Sequence, residues 1–137
     1  MAEKDDAVQH GVGRSFEILD QAWNAANAVG VASVFALDCV LVSPRGAVMD
    51  GREDVKRVFE VAFPTDLKGS RRETTITSTR NVGADIALFV GTIAFSGVRD
   101  PSGAVGPSDY RTVITGAAHS TKEGWEILAA QATHVAV

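Results

Sequence analysis

Three histidines, a single cysteine and a serine set before a Pro-Arg-Gly turn are the side chains in this 137-residue chain with chemistry to offer. His119 and His134 come late in two apolar stretches, "YRTVITGAAH" and "GWEILAAQATHVAV". Imidazole changes charge between about pH 5 and 8, so either ring could act as an acid or base. His119 is the candidate catalytic residue. His10 lies in a glycine-interrupted segment and reads as a surface residue. The histidines share no local spacing, so no metal site is expected. No glycine-rich fingerprint follows a strand and opens a helix, so no cofactor is expected either. Cys39 has no basic partner evident in sequence and reads as a small buried hydrophobe. Ser43, in "LVSPRGAVMDG", is not framed by the G-x-S-x-G pattern of a nucleophile elbow. Asp50 and Glu53 have the spacing of a helix capping box.

A second group suits binding rather than catalysis. Ser43, Thr112 and Gln131 are polar residues in apolar surroundings, the few orienting groups that a greasy pocket needs. Trp23 and Trp125 can form pocket walls or plain core. Arg45, on the turn after Ser43, reads first as an exposed turn residue, with an anion clamp at a pocket mouth as the alternative. Alternation along the last stretch puts Trp125, Ile127, Ala129, Gln131 and Thr133 on one face and Glu126, Leu128, Ala130, Ala132 and His134 on the other. Glu126 prefers water, so the Trp125 face is expected to look inward. That reading places Gln131 in the interior and His134 outside, at a dimer contact. The orientation of His119 depends on a hairpin register that alternation alone leaves open.

The elements that must hold these groups follow from periodicity. Val8, Val12, Phe16, Leu19, Trp23 and Ala26 mark one helix face. Gly11 and Gly13 each weaken its first turns by about 1 kcal/mol relative to Ala, so the firm part is expected from Arg14 to Ala26, with residues 1–13 looser. Asn27 either ends this helix or caps a short second one bearing Val31, Val34 and Phe35. "CVLVS" (39–43) reads as a strand and "AVM" as its brief return. A third helix, with Val55, Val58, Phe59, Ala62 and Phe63 on its apolar face, runs from Asp50 to Pro64. The period then becomes two, giving strands at 71–81, 85–97, 110–119 and 124–137. A glycine- and proline-rich loop at 98–109 reads as mobile by composition. Helices early and strands late indicate an α+β fold, a curved antiparallel sheet closed on one face by the helices.

Bulk properties narrow the function classes. One domain spanning 1–137 is expected, and a chain of this size buries about 68% of its unfolded surface. The net charge of −4 disfavours nucleic acid, and the basic groups at Lys56, Arg57, Lys68, Arg71 and Arg72 read as solvated faces. Mean hydropathy is +0.07, yet no apolar run approaches the roughly 18 residues of a membrane span. The acidic start "MAEKDDAVQH" lacks an apolar signal core, so a cytoplasmic setting is expected.

The stretch "AWNAANAVGVASVFALDCVLVSPRGAVMDGREDVKRVF", with the four-strand tail ending "GWEILAAQAT", resembles the nuclear-transport-factor-like, ketosteroid-isomerase-like superfamily over about residues 15–134. Within it the chain looks most like the small bacterial SnoaL-like and SgcJ/EcaC-type proteins. The resemblance implies a cystatin-like cone, a curved mixed or antiparallel sheet wrapped around three N-terminal helices. It also tests a mechanism. Ketosteroid isomerases carry a catalytic Asp before the Pro of a D-P-x-G turn, and that position here is Ser43. Their oxyanion-donating Tyr falls on Leu19. A serine hydroxyl without a partner base cannot take a carbon-bound proton, and leucine offers no hydrogen bond. Steroid isomerisation by that route is therefore rejected, and no counterpart of the scytalone-type His-Asp pair is evident. The reading that follows is a small-apolar-molecule binding protein, homodimeric, with no nucleic-acid or membrane partner. The alternative is a SnoaL-like enzyme on a polyketide-like or aromatic metabolite, with His119 as acid or base.

Overall fold

The computed structural model describes residues 2–99 and 108–135. Three helices, α1 (Ala2–Asn24), α2 (Ala28–Ser33) and α3 (Arg52–Ala62), combine with strands β1 (Phe35–Val42), β2 (Val48–Asp50), β3 (Arg71–Asn81), β4 (Ile86–Val98), β5 (Ser108–Thr121) and β6 (Gly124–His134). The strands form one sheet in the order β2-β1-β6-β5-β4-β3. All neighbours are antiparallel except β1 and β6, which run parallel. The sheet is thus mixed, and the α+β cone is the observed architecture. Most of the expected 98–109 loop lies outside the described residues.

Helix α1 carries Val12, Phe16, Leu19 and Trp23 onto the inner face of the sheet, each under a tenth exposed. It begins earlier than its glycines suggest. Gly11 is a contact: a Cβ there would come within 2.6 Å of the Trp125 indole. Packing against that ring offsets the low helix propensity of glycine. The Ser15 hydroxyl donates to the Trp125 carbonyl at 2.6 Å, tying the same region to β6. At the other end, Asn24 pairs with the backbone of Arg72 through both its amide nitrogen and its oxygen (3.2 and 2.8 Å). The helix so covers the β3 edge, which would otherwise offer unpaired backbone. Ala26 falls outside α1 with φ 54°, and Asn27 caps α2 by accepting from Gly30 N–H at 3.0 Å.

Boundaries around β1 and α3 also differ from expectation. Phe35 belongs to β1 rather than α2, because Ile127 N–H donates to the Val34 carbonyl and draws the chain into the sheet. The Asp50–Glu53 capping box is absent. Gly51 is the N-cap of α3 with φ 95° and no side-chain cap. Asp54 instead accepts from Asp50 N–H at 3.0 Å, which holds its carboxyl below the usual range, while Glu53 faces Lys56 at 3.7 Å.

Candidate functional site

Between the helices and the sheet lies a cavity of about 650 Å³. Its depth is apolar: Phe16, Leu19, Val31, Phe35 and Ile114 line it and are almost wholly buried. Its polar lining groups are Ser43, Arg45, Asp66, Arg72, Arg99, Tyr110 and His134. The register collects most of these at one end of the sheet. Arg72, Phe95 and Tyr110 form one row across β3, β4 and β5, and Thr112 and His134 pair in the next. Ser43 follows the β1 end that runs alongside this end of β6.

A chain of rings runs along the wall. Trp23 meets Phe59, Phe63 and Phe95 with centroids 5.1–5.5 Å apart, and its Nε1 donates to the Ser70 hydroxyl at 3.0 Å. Phe95 stacks on Tyr110 at 4.9 Å, and Tyr110 meets the His134 imidazole at 4.8 Å. Burial pushes the Tyr110 hydroxyl above its ordinary value of 10.0, while the charges of Arg45 and Arg72 pull the other way.

Arg72 corrects the expectation of a solvated face. It is 8% exposed, with its guanidinium over the rings of Trp23 and Phe95. Its Nε donates to Asp20 Oδ1 at 2.7 Å and another guanidinium nitrogen donates to the Thr74 hydroxyl at 2.8 Å. Asp20 also accepts from the backbone N–H and the hydroxyl of Thr74 at 2.7 and 2.8 Å. Burial lowers the Arg72 guanidinium from its ordinary value and the Asp20 charge opposes that shift. Sequence offered no sign of this pair, since its members lie 52 positions apart.

The residues singled out in sequence divide. Trp23 and Ser43 line the cavity. The Ser43 hydroxyl accepts from Ala47 N–H at 3.1 Å and its backbone N–H donates to the Ala47 carbonyl at 2.9 Å, so it also closes the turn. Gly46 supplies the φ of 86° this turn needs. Thr112 is fully buried on the inner face, does not line the cavity, and its hydroxyl has no partner among the described residues. Trp125 is half-buried beneath Gly11, away from the cavity.

Gln131 and His134 are reversed from the alternation reading. Ala117 pairs with Ala129 and Ala118 with Ile127, leaving Leu128 as an extra residue in β6. A bulge of this kind shifts parity. Trp125 and Ile127 face inward as expected, but beyond Leu128 it is Ala130, Ala132 and His134 that face inward. Gln131 is exposed on the outer face and does not line the cavity.

His119 also looks away. Ile114 and Ala118 are buried on the inner face of β5, so His119 takes the outer one. Its Nε2 lies 3.0 Å from Glu126 Oε1, while Glu126 Oε2 accepts from Arg52 at 3.1 Å. None of these three lines the cavity, so His119 cannot reach a molecule inside it. Cys39 is fully buried, and burial raises its thiol, in keeping with a packing role. Among the described residues no cluster of His, Cys, Asp and Glu could hold a metal, and no helix is long and apolar enough to cross a membrane.

Sequence reasoning missed Tyr110, Asp66 and Arg99 as cavity residues. Tyr110 carried the one usable signal, two positions from Thr112 and hence on the same strand face.

No protein-family model and no curated protein matches the chain. Solved structures do. An uncharacterised protein with a cystatin-like fold from Caulobacter vibrioides is 20% identical, with a TM-score of 0.82 over 95% of this chain and 91% of that one. A ketosteroid isomerase-like protein from Erwinia carotovora atroseptica is 15% identical, with a TM-score of 0.71 over 96% of both chains. An NTF-2-like protein of unknown function from Shewanella oneidensis is 15% identical, with a TM-score of 0.71 over 90% of this chain and 97% of that one.

Proposed function

We propose that this chain, which has the cystatin-like, nuclear-transport-factor-like fold, binds a small apolar molecule inside its cone. The observation that carries this reading is the cavity of about 650 Å³, apolar in its depth and polar at one end. That volume falls within the roughly 300–1,000 Å³ of small-molecule sites. The enzymatic alternative built on His119 is disfavoured, because that ring sits against Glu126 on the outer face and does not line the cavity. The test is titration with decanol, naphthalene and indole, followed by calorimetry. At least one probe binds with one-to-one stoichiometry, and Ala132→Phe, which projects bulk from the cavity wall, weakens it at least tenfold. No binding of any probe, or equal binding by the variant, overturns the reading.

The outer sheet face supports pairing with a second copy of the chain. Val40, Leu88, Val90 and Val113 are exposed there, among Thr92, Ala94, Thr115 and Ala129. Such a mild apolar surface suits an isologous homodimer contact. Sedimentation at micromolar concentration should give a dimer that Val90→Glu dissociates; a wild-type monomer refutes it.

A further inference from the structure

We infer that the preferred ligand is an amphipathic carboxylic acid, held with its apolar body in the depth of the cone and its carboxylate at the rim among Arg45, Arg99, Tyr110 and His134. The inference rests on the binding reading above and adds the chemical class and the orientation.

Charge is distributed unevenly along the cavity. The protein carries a net −4, yet its cavity lining holds three arginines against one carboxylate, Asp66. Arg72 is committed to Asp20 and Thr74. Arg45 and Arg99 are exposed lining residues, so they stand at the open end rather than the depth. Arg45 has contacts of its own, but its charge reaches the Tyr110 hydroxyl and favours the ionised phenol. Burial outweighs that pull at the phenol, but the same positive charges attract a carboxylate placed beside it. The Arg99 backbone N–H donates to the Asp66 carbonyl at 3.0 Å, holding that residue at the same rim. The rim side chains can supply donors: two guanidinium groups, a phenol and an imidazole N–H. Asp66 also lines this end, where its single negative charge is outnumbered by Arg45 and Arg99.

The depth dictates the rest. Phe16, Leu19, Val31, Phe35 and Ile114 offer no side-chain hydrogen bond, so a polar group carried inward would lose its water without replacement. A molecule with one acidic end and an apolar remainder meets both conditions in only one orientation.

The experiment compares decanoate, decanol and decylamine, which share a chain and differ in head-group charge. Calorimetry should rank decanoate above decanol by at least about tenfold, the return expected from charge-assisted hydrogen bonds, with decylamine weakest. Arg99→Gln and Tyr110→Phe should each narrow the acid-to-alcohol ratio toward one. The protein has a single tyrosine, so phenolate absorbance reports Tyr110 alone. Bound decanoate should move that titration to higher pH by more than bound decanol does, since it adds like-charge repulsion to the exclusion of water. If neither compound binds, the apolar-ligand reading fails. If decanol equals decanoate, or if decanoate moves the tyrosine titration no further than decanol, only the head-group inference is overturned.

Discussion

Removing Asp20 should unfold the protein more readily than removal of any surface acid. In Asp20→Ala, Arg72 loses its closest partner and the Thr74 backbone N–H loses its acceptor. Both members of the pair are buried, with side chains 7% and 13% exposed for Arg72 and Asp20. Breaking a buried pair by deleting one partner costs about 3–5 kcal/mol. The low end applies here. Arg72 keeps its bond to Thr74, keeps the ring faces of Trp23 and Phe95, and borders a cavity that water can enter. A loss of about 3 kcal/mol is a large share of the roughly 5–15 kcal/mol that holds such a domain together. Urea unfolding followed by far-ultraviolet circular dichroism measures it. The double variant Asp20→Leu, Arg72→Met should recover part of the loss, because it removes the cost of burying a lone cation while the Thr74 N–H still lacks its acceptor. A single-variant cost below about 1 kcal/mol, typical of exposed pairs, would refute the buried-pair account. So would a double variant no better than the single one.

Thr112→Val should keep or raise stability by about 1 kcal/mol, since it removes a buried hydroxyl that has no partner among the described residues. A loss beyond about 1 kcal/mol in the same unfolding assay would reveal an ordered water bound there. The Tyr110 phenolate should form above 10.0 in the folded protein, because burial outweighs the pull of Arg45 and Arg72. As an acid with a raised folded value, it leaves stability intact below the unfolded value and erodes it as pH climbs toward the folded one. Absorbance titration in buffer and in urea checks the sign; a folded midpoint at or below the urea midpoint contradicts it.

Much of the fold could be read from local pattern. The strand over 71–81 was expected with the bounds observed for β3, and the apolar face Val12, Phe16, Leu19, Trp23 is the buried face of α1. These follow from side-chain periods set by the backbone of each element alone. That a serine and not a carboxylate precedes Pro44 is likewise a matter of sequence, and its hydroxyl closes the turn. Three-dimensional packing decided the remainder. The extra residue at Leu128 exchanged the faces of Gln131 and His134, and no local pattern marks it because the strand on either side alternates normally. Gly11 looked like a weakness in a helix and is where the Trp125 ring fits. Arg72 looked solvated and is buried, because its partner Asp20 comes from a distant helix. Periodicity is a property of neighbours along the chain, whereas which side of a bulged strand meets the cavity, and which charge finds its counterion, depends on residues that only folding brings together.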